Sequence, residues 1–385
     1  MSGFDLSPTG QLLLLMALIG SAPLLWLWQR HRGVGLAGRL AGLTVLTLFL
    51  CFDLILFGAF TRLTDSGLGC PDWPGCYGSA SPMGAHEQIH AAQAAMPGGP
   101  VTHGKAWVEM VHRYLAGAVG FLILSLCLAS WTLRWRRPGG VAPATPWWAT
   151  LTLAWVILQG AFGALTVTMK LFPLIVTLHL MCALALLGLL AWQAQAYQVR
   201  PLRLPRGFEL AAWLLLIISA LQMALGGWVS TNYAVLACNT FPQCQGGWWP
   251  AMDFGQAFTL WRSLGHTADG QLLGFAALTA IHWAHRLGAV LVLSAMLVLA
   301  LLLRAHGGQA ARPWARGLAL LAGWQFLSGL SNVVLDWPMV AALAHTGGAA
   351  ALTAGLSTFL ARVRQARLRD LAALAPTSTF GMARS

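Results

Sequence analysis

Long, uninterrupted apolar runs constrain this chain more than any other feature. They recur along its 385 residues. A run of about eighteen or more, rising about 1.5 Å per residue, can cross a hydrocarbon core of about 30 Å. The runs do not alternate polar with apolar, which argues against a β-barrel. The chain therefore reads as an all-α, polytopic membrane protein. Nine spans are expected near residues 10–29, 38–60, 107–130, 147–168, 173–197, 209–230, 276–303, 315–335 and 338–361. A hydrophobic content of 57% agrees. The first run has no basic stretch ahead of it and is followed by Arg30-His31-Arg32. It is expected to be an uncleaved span and not a signal peptide.

A net charge of +12 raises nucleic acid as a partner, but the placement of the charge points to the lipid bilayer. The arginines cluster at Arg30/Arg32/Arg39, Arg134/Arg136/Arg137, Arg200/Arg203/Arg206, Arg304/Arg312/Arg316 and Arg362/Arg364/Arg367/Arg369. These fall in every second connection, which is the positive-inside pattern. With nine spans it places the N-terminus outside and the C-terminus in the cytoplasm, with each cluster near anionic headgroups. No nucleic acid partner is expected.

The other connections differ. Residues 61–106 and 231–275 are long and rich in Gly, Pro and Trp, whereas those near Phe172-Pro173 and Asp336-Trp337-Pro338 are tight turns. The segment after about 362 is expected to be basic, low in structure and frayed.

An internal repeat organises the chain. Gly58 is followed by Cys70 and Cys76, and Gly226 by Cys238 and Cys244, at the same spacings. His112-Arg113 and His285-Arg286 come next. Gln159-x-x-x-Gly163 and Gln325-x-x-x-Gly329 follow, then His179 and His345, each pair offset by 166. Both halves start on the same side, so the repeat is parallel. The expected architecture is two pseudo-symmetric four-helix bundles, 38–198 and 199–361, after one extra transmembrane helix (1–37) and before a basic tail (362–385).

His112, His179, His285 and His345 all lie about 8–9 Å below the outer boundary by helical rise. Within each bundle they stand on alternate helices and can face each other across the core. Ionisable groups in spans face an interior or a cavity. Histidine is also a common axial ligand of haem iron, and one from each of two helices suits a flat porphyrin. The plainer alternative is a core histidine satisfied by a carbonyl. Zinc fits less well, because no close ligand cluster exists at this depth. Arg62, Arg113 and Arg286 lie near the same boundary, where they can pair with haem propionates or snorkel to headgroups. His282, one turn before His285, can join the site or only polarise it.

Four of the seven cysteines form two Cys-x5-Cys pairs in the long loops, Cys70/Cys76 and Cys238/Cys244. An oxidising compartment makes two disulfides the default reading. So short a loop gains little chain entropy from a bridge, so thiol–disulfide exchange at Cys70/Cys76 stays open beside a structural role. When the halves are aligned, Glu109 falls opposite His282, so only the first half has an acid there. A glutamate three residues before a ligand histidine shares its helix face and can move protons. The alternative is a glutamate interacting with the helix dipole.

These residues resemble the haem A synthase family. The resemblance rests on Gly58-Ala-Phe-Thr-Arg-Leu-Thr-Asp-Ser-Gly-Leu-Gly-Cys70-Pro-Asp-Trp-Pro-Gly-Cys76, on Glu109-Met-Val-His112-Arg113, and on His179, His285-Arg286 and His345. It covers about 38–361 and leaves the first helix outside. It implies an inner-membrane oxidoreductase that converts the C8 methyl group of haem O to a formyl group, giving haem A for terminal oxidases. His112 and His179 would hold the substrate haem O, and His285 and His345 a permanent haem b that relays electrons. Glu109 matches the family's essential glutamate, and Cys70/Cys76 its redox-linked loop cysteines. An electron donor, a hand-over from haem O synthase and contact with cytochrome oxidase assembly factors are the implied partners. A di-haem b-type electron carrier without chemistry on haem is the alternative.

Overall fold

The structure is a computed structural model that describes residues 7–136, 145–198 and 200–374. Among these residues it is all-helical, and nine helices are long and apolar enough to cross a membrane. They are α1 (Ser7–Arg30), α2 (Leu36–Leu63), α4 (His103–Arg136), α5 (Pro146–Thr168), α6 (Pro173–Tyr197), α7 (Arg206–Thr231), α9 (Phe275–His306), α10 (Arg312–Val334) and α11 (Met339–Leu374). Two shorter helices, α3 (His86–Ala95) and α8 (Phe254–Ala257), lie in the long loops. Pro146 and Pro173 open α5 and α6, where the missing N–H costs nothing and the fixed φ suits a helix start.

In the first half α2 packs on α4 and α6, and α5 packs on both α4 and α6. In the second half α7 packs on α9, and α10 packs on α9 and α11. Helix α6 joins the halves through α7 and α11, with α2 also against α11. One buried core lies within α7, α9, α10 and α11, around Met296, Leu303 and Leu360. Another lies around Ile123, Leu187 and Leu190 in the first half.

Large apolar side chains such as Leu214, Leu221, Leu301 and Leu320 point outward. That arrangement is costly in water and suited to lipid. Several hydroxyls inside the helices are satisfied locally. Thr44, Thr47, Thr152 and Ser328 each donate to the carbonyl one turn earlier, at 2.7–2.8 Å, as a medium without water requires.

The end of the chain differs from the sequence expectation. Residues 362–374 continue α11 and are not frayed. Leu202 N donates to Arg362 O at 3.0 Å, and Arg362 Nε donates to Gln195 Oε1 at 2.9 Å. Arg367 and Glu209 are paired at 2.5 Å. Arg362 and Arg367 have partners on neighbouring elements, and those contacts hold this part of the helix. Arg137 and the last residues, 375–385, lie outside the described residues.

Candidate functional site

His112, His179, His285 and His345 each rest against a glycine of a neighbouring helix. A Cβ added to Gly58 of α2 would lie 3.1 Å from His112 Cε1 of α4. The corresponding distances are 3.2 Å for Gly163 and His179, 3.0 Å for Gly226 and His285, and 3.1 Å for Gly329 and His345. Any other residue would press on the ring, so these glycines are notches that seat the imidazoles. All four histidines and all four glycines line one cavity of about 1260 Å³. Its other walls are mostly apolar and include Leu54, Ile55, Leu293 and Met296.

The residues fit haem. The His285 and His345 ring centroids are 6.5 Å apart. Two imidazoles on opposite sides of one iron, with metal–nitrogen bonds of about 2 Å, would place them about 6.4 Å apart. His112 stacks on Phe57, with centroids at 6.1 Å and planes at 7°. The cavity has the apolar walls a porphyrin needs, and buried imidazoles are the donors its iron takes.

Surrounding polar groups treat the two pairs differently. Gln222 Nε2 lies 2.9 Å from His285 Nδ1 and donates to His285 O at 2.9 Å. Ser328 Oγ lies 3.1 Å from His345 Nδ1. Oriented to satisfy its neighbours, the Gln325 amide donates to His345 O at 3.0 Å, with its nitrogen 3.1 Å from Nδ1. In the first half Gln159 donates only to the carbonyl of His179, at 3.0 Å. His112 Nδ1 and His179 Nδ1 are buried with no hydrogen-bond partner among the described residues. The sequence reading used Gln159 and Gln325 only as markers of the repeat and missed Gln222 and Ser328. A glutamine inside a span, one turn before the notch at Gly226, was the available signal.

Glu109 and Arg113, one helical turn apart, form a buried ion pair. Glu109 is 3% exposed, and its Oε2 accepts from Cys70 N at 2.8 Å. Arg113 Nη1 donates to Asp72 O (2.9 Å), Pro74 O (3.2 Å) and Gly75 O (2.5 Å). The carboxylate and the guanidinium thus hold the whole 70–76 loop over His112. That loop is closed by the Cys70–Cys76 disulfide.

The second half repeats the clamp without the acid. Arg286 donates to Cys238 O (2.8 Å), Thr240 O (2.8 Å) and Gln243 O (3.0 Å), beside the Cys238–Cys244 disulfide. His282 stands where Glu109 does. Its Nδ1 lies 3.1 Å from Ala234 O, and its Nε2 accepts from Arg286 Nε at 3.3 Å. Both ring nitrogens are taken, so His282 braces the loop.

Arg62 lies where the halves meet. It donates to Ser230 O at 2.6 Å and pairs with Asp65 at 3.1 Å. It also lies 4.0 Å over the Tyr233 ring, whose hydroxyl donates to Asp65 at 2.6 Å. Burial, then the Asp65 bond, push the Tyr233 hydroxyl above the usual phenol range.

Two further features lie at the edge of the site. Leu13, Met16 and Ala17 of α1 line the cavity, with Met16 seated in a notch at Gly117 of α4. In the first long loop the rings of His86, His90 and His103 lie within 4.6–6.3 Å of one another. Among the described residues, no three ligating side chains are placed to hold a metal ion.

Helices of this length around a cavity that holds two pairs of glycine-seated histidines define a multi-pass membrane protein of haem-handling class. The chain belongs to the COX15-CtaA family, described as cytochrome oxidase assembly protein, whose model matches residues 41–356. It is 38% identical to the heme A synthase of Shewanella oneidensis over 83% of this chain and 95% of that protein. It is also similar to the heme A synthases of Caulobacter vibrioides (29%, over 82% and 93%) and Bacillus licheniformis (28%, over 64% and 76%). Helix α1 precedes the matched region.

Proposed function

We propose that this protein makes haem A, oxidising the C8 methyl group of haem O to a formyl group. The observation that carries this reading is the asymmetry of the site. Two histidine pairs share one cavity, and only the first has a buried carboxylate, Glu109, on the same helix face as its histidine. Two equivalent electron-carrying sites would not need that difference. Relatives named heme A synthase support the reading.

In this account His112 and His179 hold the substrate haem O, and His285 and His345 hold a haem b. When bound, the haem b supplies one-electron transfer. The conversion removes hydrogen from a methyl carbon and adds oxygen, so protons must leave a mostly apolar cavity. Glu109 takes that role: Arg113 and Cys70 N fix its position, and the apolar walls keep other bases away. Arg62, Arg113 and Arg286 line the cavity and are assigned to the propionates. Their bonds to backbone carbonyls hold the guanidinium groups in place for that contact.

The same reading places the N-terminus outside and the C-terminus in the cytoplasm of the cell's inner membrane. The arginine clusters gather at the helix ends opposite the two long loops, which supports this orientation. Haem O synthase, oxidase assembly factors and an electron donor are its proposed partners.

Glu109→Gln tests the chemistry. The amide keeps an oxygen for Cys70 N and Arg113, so both haem sites should fill as in the wild type while formyl formation stops. Haem extracted from cells that carry only this variant should contain haem O and no haem A. Normal haem A levels would remove Glu109 from the mechanism.

A further inference from the structure

An imidazole that binds iron through Nε2 carries its proton on Nδ1, and whatever meets that N–H orients the ring and tunes its strength as a ligand. Ser328 Oγ gives its own hydrogen to Trp324 O at 2.7 Å. Its lone pairs therefore face His345 Nδ1, 3.1 Å away. Gln222 braces His285 at both Nδ1 and the carbonyl, each at 2.9 Å. Because one nitrogen makes both contacts, Gln222 fixes the place of the His285 ring against its own backbone, whereas Ser328 supplies an acceptor.

The first half has neither group. The Gly58/Gly226 register puts Leu54 opposite Gln222, and the Gly163/Gly329 register puts Phe162 opposite Ser328. Nδ1 of His112 and Nδ1 of His179 are buried and bare among the described residues. So one ligand pair has outer partners, and the matching positions of the other half carry apolar side chains. Outer partners of this kind change metal affinity by about 10–100-fold.

We propose that Ser328 and Gln222 are positioning residues that make His345 and His285 lasting iron ligands, and that Phe162 and Leu54 leave His179 and His112 as exchangeable ones. A resident haem needs the firm hold, whereas a haem that enters as substrate and leaves as product needs the weak one. The inference rests on the assignment of the two halves under the proposed function. It adds what distinguishes them physically.

The test is haem loss from purified protein in detergent, followed by absorbance as haem B passes to excess apomyoglobin. Ser328→Ala and Gln222→Met should each release haem B about tenfold faster or more. Ser328→Ala should also raise the midpoint potential of haem b, because Nδ1–H loses its acceptor. Ser328→Thr, which keeps the hydroxyl, should release haem B at the wild-type rate. Re-adding haem separates weak binding from misfolding, since a folded variant regains the wild-type spectrum. Should Ser328→Ala fail to refill, Gln222→Met decides. Wild-type loss rates in the refillable variants would overturn the inference while leaving the proposed function intact. A wild-type protein without haem B, or a His345→Ala variant that retains it fully, would overturn the assignment of the halves and this inference with it.

Discussion

Glu109 holds a loop in place, and the proposed reading also gives it the protons; its neighbours make the two compatible. It forms a buried ion pair with Arg113 and caps Cys70 N, so the group assigned to proton movement also pins a loop above the cavity. Breaking a buried pair by removing one partner is costly, because the other charge is left without compensation. Arg113→Met should therefore destabilise the protein by about 3–5 kcal/mol. That loss would be read as an earlier thermal unfolding transition in detergent, and Glu109→Gln, which leaves Arg113 its loop carbonyls and an amide oxygen, should cost less. An equal effect from both variants would mean that the pair does not hold the loop. At this scale the sequence showed Glu109 and the four histidines plainly, because charge and imidazole are rare in apolar runs. It could not show that Arg113 and Arg286 hold loop carbonyls, or that Ser328 faces His345. Those contacts join residues far apart in the chain, and nothing local marks them.

Among the elements, α1 is the one the family match leaves out, yet it is built into the first half. Met16 fills a notch at Gly117, where an added Cβ would lie 2.2 Å from Met16 Sδ. Gly20 meets Phe121 at 2.8 Å in the same sense. Small residues let helices approach closely where no hydrophobic force drives them together. Gly117→Val should thus unseat α1 and cost about 1–3 kcal/mol by overpacking. Adding Met16→Ala should recover much of that loss, and a double-mutant cycle on thermal unfolding checks it. Strict additivity of the two changes would place α1 away from Gly117. All nine spans were legible in the sequence, because length and apolarity set them. Helix α3 was not, since a ten-residue polar helix carries no periodic signal that outweighs its Gly- and Pro-rich surroundings. The helical extension of α11 was also hidden, because its arginines read as a headgroup cluster ahead of a frayed end until Glu209 and Gln195 appeared beside them.

Across the whole molecule, one cavity spans both halves, and the junction between them is built from Arg62, Asp65, Ser230 and Tyr233. In the proposed reading this shared cavity lets electrons pass between the two sites, and Glu109 handles the protons. The offsets in the sequence foretold matched histidines. The shared cavity depends on how α6 packs against α7 and α11, which spacing along the chain does not encode. The central claim is that one half holds a resident haem b and the other processes haem O. The most direct measurement is the mass of every non-covalent haem extracted from the purified protein. The account predicts haem B together with haem O, a hydroxylated haem O or haem A. Haem B alone would contradict it in favour of a di-haem electron carrier, and no haem at all would contradict both.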